Sequence, residues 1–459
     1  MLTLNQPDSL IMPMKSLYHL SSSTFYEYSN NAQLEDTEPK IIYLRKGDFT
    51  INSLASMIAN DKVIERLAEN HYLLHLPIYI AHNATLVVDN TLLKLDVKSA
   101  PFIIYNGKLL ITNSEITSWD KLQGNYGPRP KLSDKQLLTF GKQQARPYLL
   151  GLHGSNTLIK YSLIRGLGYQ GPLSPFGISF NGKPKTLIDP LGYDALLNLL
   201  APPSGELIGN VFEHNFMGVY SNFAKHLNIK GNIIRYSTLY NIDPHDASSD
   251  LNVENNIVYG AKHSHGIIFS REVNDSRIIN NIVFNNHGSG IMLDRASNHN
   301  QIRHNLIFLN GKSGISIYES ANNLITDNTV LLNDENGVIV RNSQSIEIHR
   351  NTVEANQGNG IEVLSRSLHD HTHRDFNLDP YNEISSVNIH QNRITENHVA
   401  AISAKYKYGL SLFKNNTSGS APYIYGGDLS VLSNQIIAIQ DAKPFIHCSL
   451  NLVEEQCPH

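Results

Sequence analysis

Cysteine is almost missing from this chain. Its 459 residues include two, Cys448 and Cys457, both near the C-terminus. That excludes a disulfide framework and a structural zinc site built from four cysteines, and leaves room for one late bridge. Charged residues are sparse at 17%, and the net formal charge is −4. The molecule as a whole therefore does not bind nucleic acid by electrostatics. A 41% hydrophobic content is too high for a disordered chain. No apolar run reaches the ~18 residues of a transmembrane helix. Met1–Ser23 lacks a basic start followed by a long apolar stretch, so it does not read as a secretory signal peptide. The single tryptophan, Trp119, is assigned to packing. The Gly-Gly-x-Gly-x-Asp calcium repeats of secreted β-rolls are absent, so no calcium dependence is expected.

Asparagine is abundant: fifty residues, alongside 30 glycines. Asparagine tolerates the left-handed conformation and bonds locally to backbone, so such a chain makes many similar turns. The turns are periodic. Gly266-Ile-Ile-Phe, Gly290-Ile-Met-Leu, Gly314-Ile-Ser-Ile, Gly337-Val-Ile-Val and Gly360-Ile-Glu-Val have glycines 24, 24, 23 and 23 residues apart. Asn241-Ile-Asp-Pro and Gly218-Val-Tyr-Ser continue the series upstream. A second column places an Asn before an apolar pair at Asn210, Asn232, Asn256, Asn281, Asn305, Asn328 and Asn351.

Each unit alternates apolar and polar residues over three to five positions, which is strand periodicity rather than helical. Leucine-rich repeats would show Leu-x-x-Leu-x-Leu, and WD-type blades need ~40 residues. Short strands with Asn or Gly corners every 22–25 residues fit one coil of a parallel β-helix, an all-β solenoid whose coils stack ~4.8 Å apart. Regular coils span about 205 to 365. Irregular ones continue through Tyr79, Thr85, Phe102, Leu109 and Tyr148 upstream, and through Val387, Ile402 and Ile436-Ile-Ala-Ile downstream. The expected organisation is a tail over 1–40, a strand and capping helix over 41–75, a β-helix over 76–445 and a tail over 446–459. The helix is placed at 53–70, where it would cover the open end of the solenoid. Insertions at 181–204 and 364–383 interrupt the coils and could shape a groove.

With the repeat glycine as position 0, positions +1 and +3 are apolar and point inward, so +2 and +4 point out. Column +4 reads His245, Ser270, Asp294, Tyr318, Arg341. The corner column +5 reads Asp246, Arg271, Arg295, Glu319, Asn342. Column +2 begins with Asp243. Stacked polar residues on a solvent face are ordinary in a solenoid. Pro244 is not ordinary, because a strand proline removes a ladder hydrogen bond. A local rule broken beside an ionisable cluster points to function.

The run Tyr240-Asn-Ile-Asp-Pro-His-Asp246, then His265-Gly-Ile-Ile-Phe-Ser-Arg-Glu-Val-Asn-Asp-Ser276, Gly290-Ile-Met-Leu-Asp-Arg295 and Tyr318-Glu-Ser320 resembles the periplasmic mannuronan (alginate) C5-epimerases. The resemblance runs from about 75 to 385 and includes Arg146-Pro-Tyr and Leu167-Gly-Tyr169. It implies a right-handed parallel β-helix that converts β-D-mannuronate to α-L-guluronate within the polymer. By the same resemblance His245 is the base, Arg271 neutralises the carboxylate, and Asp243 is a further residue needed for activity. Asn241 departs from the family pattern, where glycine is expected.

The residues suit that chemistry. Removing a proton alpha to a carboxylate needs a fixed cation beside it, and arginine offers a charged planar fork. Histidine titrates near pH ~6.5 and suits the base. Asp243 or Asp246 would orient it. Tyr240, Tyr318 or water would return the proton, water being favoured by the resemblance. Asp246, His265, Arg295, Tyr318, Arg341 and Tyr240 are expected to contact substrate. No cofactor and no metal is expected: alternate histidines such as those in His369-Asp-His-Thr-His-Arg-Asp375 can chelate, but the segment reads as a polar loop bordering the groove. The expected partner is an anionic polysaccharide, with other periplasmic export proteins a further possibility. A uronate lyase and a non-catalytic polysaccharide scaffold remain the alternatives.

Overall fold

A computed structural model of the chain describes residues 10–14, 39–127, 145–171, 174–182, 201–368, 376, 380–419 and 423–449. Most of the 1–40 tail, residues 183–200 of the first insertion, the histidine-rich segment 369–375 and the tail from 450 on lie outside them. The chain folds as two compact units, Met1–Leu239 and Tyr240–His459.

In the first unit Ile78–Asp89, Phe102–Tyr105, Tyr148–Gly151, Gly177–Asn181 and Met217–Asn222 pair in parallel, one strand per coil. Phe102, Tyr105, Phe180, Phe212 and Phe216 are fully buried among them. Of the helix expected over 53–70, only residues 53–58 are helical. α1 is Ile51–Ile58, started by a reciprocal Thr50/Ser53 capping box and ended by Ala59 in the left-handed region. An Asn60 side-chain turn follows, with Oδ1 accepting from the Lys62 amide at 3.0 Å. Ile64–Ala68 is then a strand, antiparallel to His71–Leu74. Asparagine-led turns of this kind stop helices, and the remaining eight residues do not form the expected helical cap. Trp119 carries the Lys94 ammonium 3.3 Å above its ring.

The second unit shows the repeat in register. Its first sheet contains β1 (Ile242–His245), β2 (Ile267–Ser270), β3 (Ile291–Asp294), β4 (Ile315–Tyr318), β5 (Val338–Arg341), β6 (Ile361–Leu364) and β7 (Ala400–Lys405). Ile267, Ile291, Ile315, Val338 and Ile361 face one another rung by rung. They and their +3 partners are completely buried, each contributing on the order of 2 kcal/mol. The chain is thus a parallel β-helix with coils of 22–25 residues. Ile436-Ile-Ala-Ile, expected as a strand, lies in helix Ser433–Ile439, since a short apolar run fits either element. Phe445–Cys448 then returns antiparallel to Tyr408–Phe413 and covers that edge. Cys448 is disulfide-bonded. The other cysteine, Cys457, lies outside the described residues.

Two buried asparagine ladders run through this unit. In one, each Nδ2 donates to the next Oδ1 from Asn256 through Asn281, Asn305, Asn328, Asn351 and Asn392 to Asn415, at 2.9–3.0 Å. The other links Asn241, Asn286, Asn310, Asn333, Asn356 and Asn397. The second ladder explains the glycine column. A Cβ on Gly314 would sit 2.8 Å from Asn333 Nδ2 and 2.3 Å from a Val330 methyl. The constraint is close approach, not positive φ. Asn241 fits where glycine was expected because its own side chain joins the ladder.

Asn305 Oδ1 accepts from both the amide and the side chain of Asn281, and its Nδ2 donates to Ile278 O. Asn305→Ala removes the acceptor of the Asn281 amide and one partner each from the Asn281 side chain and Ile278 O, while Asn281 Nδ2 keeps its bond to Val253 O. We predict a loss on the order of 3 kcal/mol, read as a fall in the denaturant midpoint by circular dichroism; an unchanged midpoint would show the ladder to be energetically idle.

Candidate functional site

The register carries His245, Ser270, Asp294, Tyr318 and Arg341 into one column, each paired with the next. At the following corner, Asp246, Arg271, Arg295, Glu319 and Asn342 all have positive φ, from 38° to 65°. On the first three rungs the next residue, Ala247, Glu272 or Ala296, is left-handed too. These corners stack by hydrogen bonds: the Asp246 amide donates to Ser270 O, that of Arg271 to Asp294 O and that of Arg295 to Tyr318 O. Consecutive corners are thus held one strand spacing apart, and their side chains project in parallel.

Three expected residues meet directly. Asp246 Oδ2 lies 3.0 Å from His245 Nδ1, while its Oδ1 lies 3.4 Å from an Arg271 guanidinium nitrogen. The histidine contact is a close pairing somewhat off the line of an ideal hydrogen bond. Asp246 therefore bridges the His245 imidazole and the Arg271 guanidinium. Burial alone would lower the His245 pKa, but Asp246 and Asp243 outweigh burial and hold it above the usual value. For Asp246 itself, burial is outweighed by His245 and the nearby arginines, and its pKa is lowered.

Asp243 differs from expectation. Its position faces outward by alternation, yet it is only 2% exposed; its column mates Ile268, Met292, Ser316 and Glu362 are buried too, and Ile339 is half-buried. The column forms the floor of a groove. Asp243 Oδ1 finds no hydrogen-bond partner among the described residues. Burial pushes its carboxyl up to about 7, against the pull of His245. Burial raises Asp243 and the neighbouring carboxylates raise His245, so both groups hold a proton more tightly than usual.

The remaining residues flank this centre. Tyr240 stacks on His265 at 5.9 Å. Burial, aided by Asp243, pushes its phenol up to about 12, so it stays a donor. His265 Nδ1 accepts the Ser289 amide at 2.9 Å, which puts its proton on Nε2. Burial drives it down to about 4, so it is neutral and not a cation for the substrate. Arg295 Nε lies 3.5 Å from Asp294. Arg341 is less available than expected: it pairs with the buried Glu319 at 2.9 Å and covers the Tyr318 ring at 3.8 Å. The pairings of Asp294 and Glu319 were not foreseen, although the column alignment pointed to them. No grouping of three or more His, Cys, Asp or Glu suited to a metal occurs among the described residues.

Fold and site together define a parallel β-helix with a charged acid–base groove on its first sheet. The "periplasmic copper-binding protein (NosD)" family model matches residues 199–305 and 245–374. Mannuronan C5-epimerase from Pseudomonas putida is 32% identical over 289 residues, covering 62% of this chain and 52% of the relative. Mannuronan C5-epimerase AlgG from Azotobacter vinelandii is 36% identical over 289 residues, covering 62% and 51%. The chain spans about half the length of the curated relatives it matches. The crystal structure of the periplasmic alginate epimerase AlgG superimposes with a TM-score of 0.75 at 28% identity, covering 91% of both chains. Over about three fifths of its length the chain is similar in sequence to mannuronan C5-epimerases, and over most of its length it is similar in fold to the periplasmic alginate epimerase.

The Asp243 pKa sets a sign for stability. Its folded value, about 7, exceeds the ordinary 3.8, so the folded state binds the proton more tightly. Stability must fall as pH rises from about 4 through about 7. Asp243→Asn should be more stable than the parent at pH 8 and equal to it at pH 4, by thermal midpoint. A gain independent of pH would contradict the assignment.

Proposed function

We propose that this protein epimerises β-D-mannuronate to α-L-guluronate at C5 within a polyuronate chain. The observation that carries this reading is the Asp246 bridge, 3.0 Å to the His245 imidazole and 3.4 Å to the Arg271 guanidinium. A base and a cation held on neighbouring rungs can act on two adjoining atoms of one sugar. Neutral His245 takes the C5 proton as Arg271 pairs with the C6 carboxylate, and the electron pair delocalises into that carboxylate as an enolate-like intermediate. Asp246 steadies the imidazolium that forms. A proton then returns to C5 from the opposite face, supplied by water in the open groove beside Tyr240 and Tyr318. Burial keeps both phenols protonated. Atoms balance: His245 takes one proton from C5, water returns one from the opposite face with inversion at C5, and the hydroxide left recovers the proton from His245. Arg295, one rung beyond Arg271, takes the carboxylate of a neighbouring unit. Arg341 holds Glu319 and Tyr318 in place at the next corner.

The substrate is polymannuronate or alginate, and the compartment is the periplasm, as for the similar alginate epimerase. The disulfide at Cys448 suits an oxidising compartment. Contacts with other polysaccharide-export proteins belong to the same reading. Proton NMR of polymannuronate incubated with the protein tests the activity. Guluronate signals support it; an unchanged spectrum from folded protein refutes it, and unsaturated ends absorbing in the ultraviolet would mark a lyase instead.

Two substitutions test the roles. His245→Ala should keep the fold and lower turnover by ~10²–10⁴-fold or more; near-normal turnover would remove His245 from the mechanism. Arg271→Lys keeps the charge and loses the fork. If Arg271 stabilises the intermediate, kcat falls by about 10²-fold. A rise in KM alone would make Arg271 a binding residue only.

A further inference from the structure

Beyond the catalytic rungs the same face holds a second feature. A cleft of about 650 Å³ is lined by Glu362, Arg366, Glu383, Lys405, Tyr406 and Lys407, among others. It lies wholly within the second unit. Its floor continues the catalytic column, because Arg341 pairs with Leu364 and Leu364 with Lys405. Lys405 Nζ contacts Glu362 at 3.0 Å, and Lys407 Nζ contacts Glu383 at 3.3 Å. The Arg366 guanidinium makes no ion pair among the described residues, although its backbone is fixed on both sides by the Asn342 amide at 2.7 Å. Among the described residues the cleft therefore holds three cations against two carboxylates, with Arg366 the cation left over on a pinned backbone. On its rim Tyr406 occupies the corner column with φ 71° and is 69% exposed. Its ring presents a face on which a pyranose can stack.

The distance fixes what this cleft can reach. From His245 to Lys405 the register advances six strand steps, through Ser270, Asp294, Tyr318, Arg341 and Leu364. At ~4.8 Å each that is ~29 Å. One unit of an extended 1,4-linked pyranose chain is about as long as one such step. We propose that the cleft is a distal subsite for a uronate about six units from the reacting sugar, with Arg366 taking its carboxylate and Tyr406 its ring. The proposal rests on the polyuronate reading of the groove. It makes affinity depend on chain length: short oligomers fill the catalytic rungs alone, and longer ones also engage the cleft.

The test is equilibrium binding, which does not need turnover. Oligomannuronates of about four and about ten units are titrated into the parent protein, Arg366→Gln and Tyr406→Ala. The parent should bind the longer oligomer at least tenfold more tightly than the shorter one, the scale of one charge-assisted contact. Each variant should lose most of that gain while binding the short oligomer as the parent does. Kinetics on the same oligomers should show the change in KM with kcat preserved. Equal affinity of parent and variants for the long oligomer overturns the subsite, as does equal weakening for both lengths. A neutral 1,4-linked mannan oligomer of the longer length should gain little; a full gain would exclude carboxylate recognition. If no epimerisation is found but the length-dependent gain and its loss in the variants remain, the catalytic reading falls and the subsite stands.

Discussion

The site depends on one constraint: consecutive coils of the second unit must sit one strand spacing apart. The asparagine ladders enforce it from inside. Each buried amide satisfies its neighbours only at hydrogen-bond length, 2.9–3.0 Å along the Asn256–Asn415 row. A coil cannot lift or slide without leaving several buried polar groups unpaired, at ~1–3 kcal/mol each. The glycine column shows the same constraint from the other side, since the ladder leaves no room for a Cβ at Gly290 or Gly314. Apolar burial supplies the bulk stability, while the ladders supply the register.

Register becomes chemistry at the corners. His245 ends one strand, and Arg271 turns the corner on the next rung; neither is near the other in sequence. Stacked left-handed corners project Asp246, Arg271 and Arg295 in parallel, so Asp246 can touch both partners at once. The buried floor adds the electrostatics. Asp243 is denied water and its carboxyl moves to about 7, within the range where a histidine also titrates. The protein obtains an acid–base pair from two ordinary side chains by burying one and leaving the other about one-quarter exposed.

Much of this was legible in the sequence because a solenoid writes its structure as columns. The spacing of Gly266, Gly290, Gly314, Gly337 and Gly360 gave coil length, inward positions and the alignment of His245 with Arg341, and all hold. What columns do not encode was misread. Asp243 looked exposed because alternation gives direction, not the depth of the groove it faces. Residues 53–70 looked helical because an apolar pattern around Val63, Ile64 and Leu67 fits two periods, and the turn at Asn60 decided between them. Ile436 had no repeat partner to disambiguate it. Arg366 escaped notice because it lies in the 364–383 insertion, where no neighbouring coil supplies a column to compare.

The rungs are alike in backbone and unlike in charge. Along the corner column the residues read Asp246, Arg271, Arg295, Glu319, Asn342, Ser365 and Tyr406, a row with no period of its own. A polyuronate is the opposite, one carboxylate per sugar without variation. Laid along such a row, a uniform polymer would find a low-energy seat where its carboxylates coincide with Arg271 and Arg295, while Glu319 is already neutralised by Arg341. Sliding by one sugar would restore the match, because every unit carries the same carboxylate; a fractional shift would not. On the proposed reading the groove would act as an indexed rack: the chain would advance in whole-sugar steps, each bringing the next carboxylate to Arg271 and the next sugar to His245.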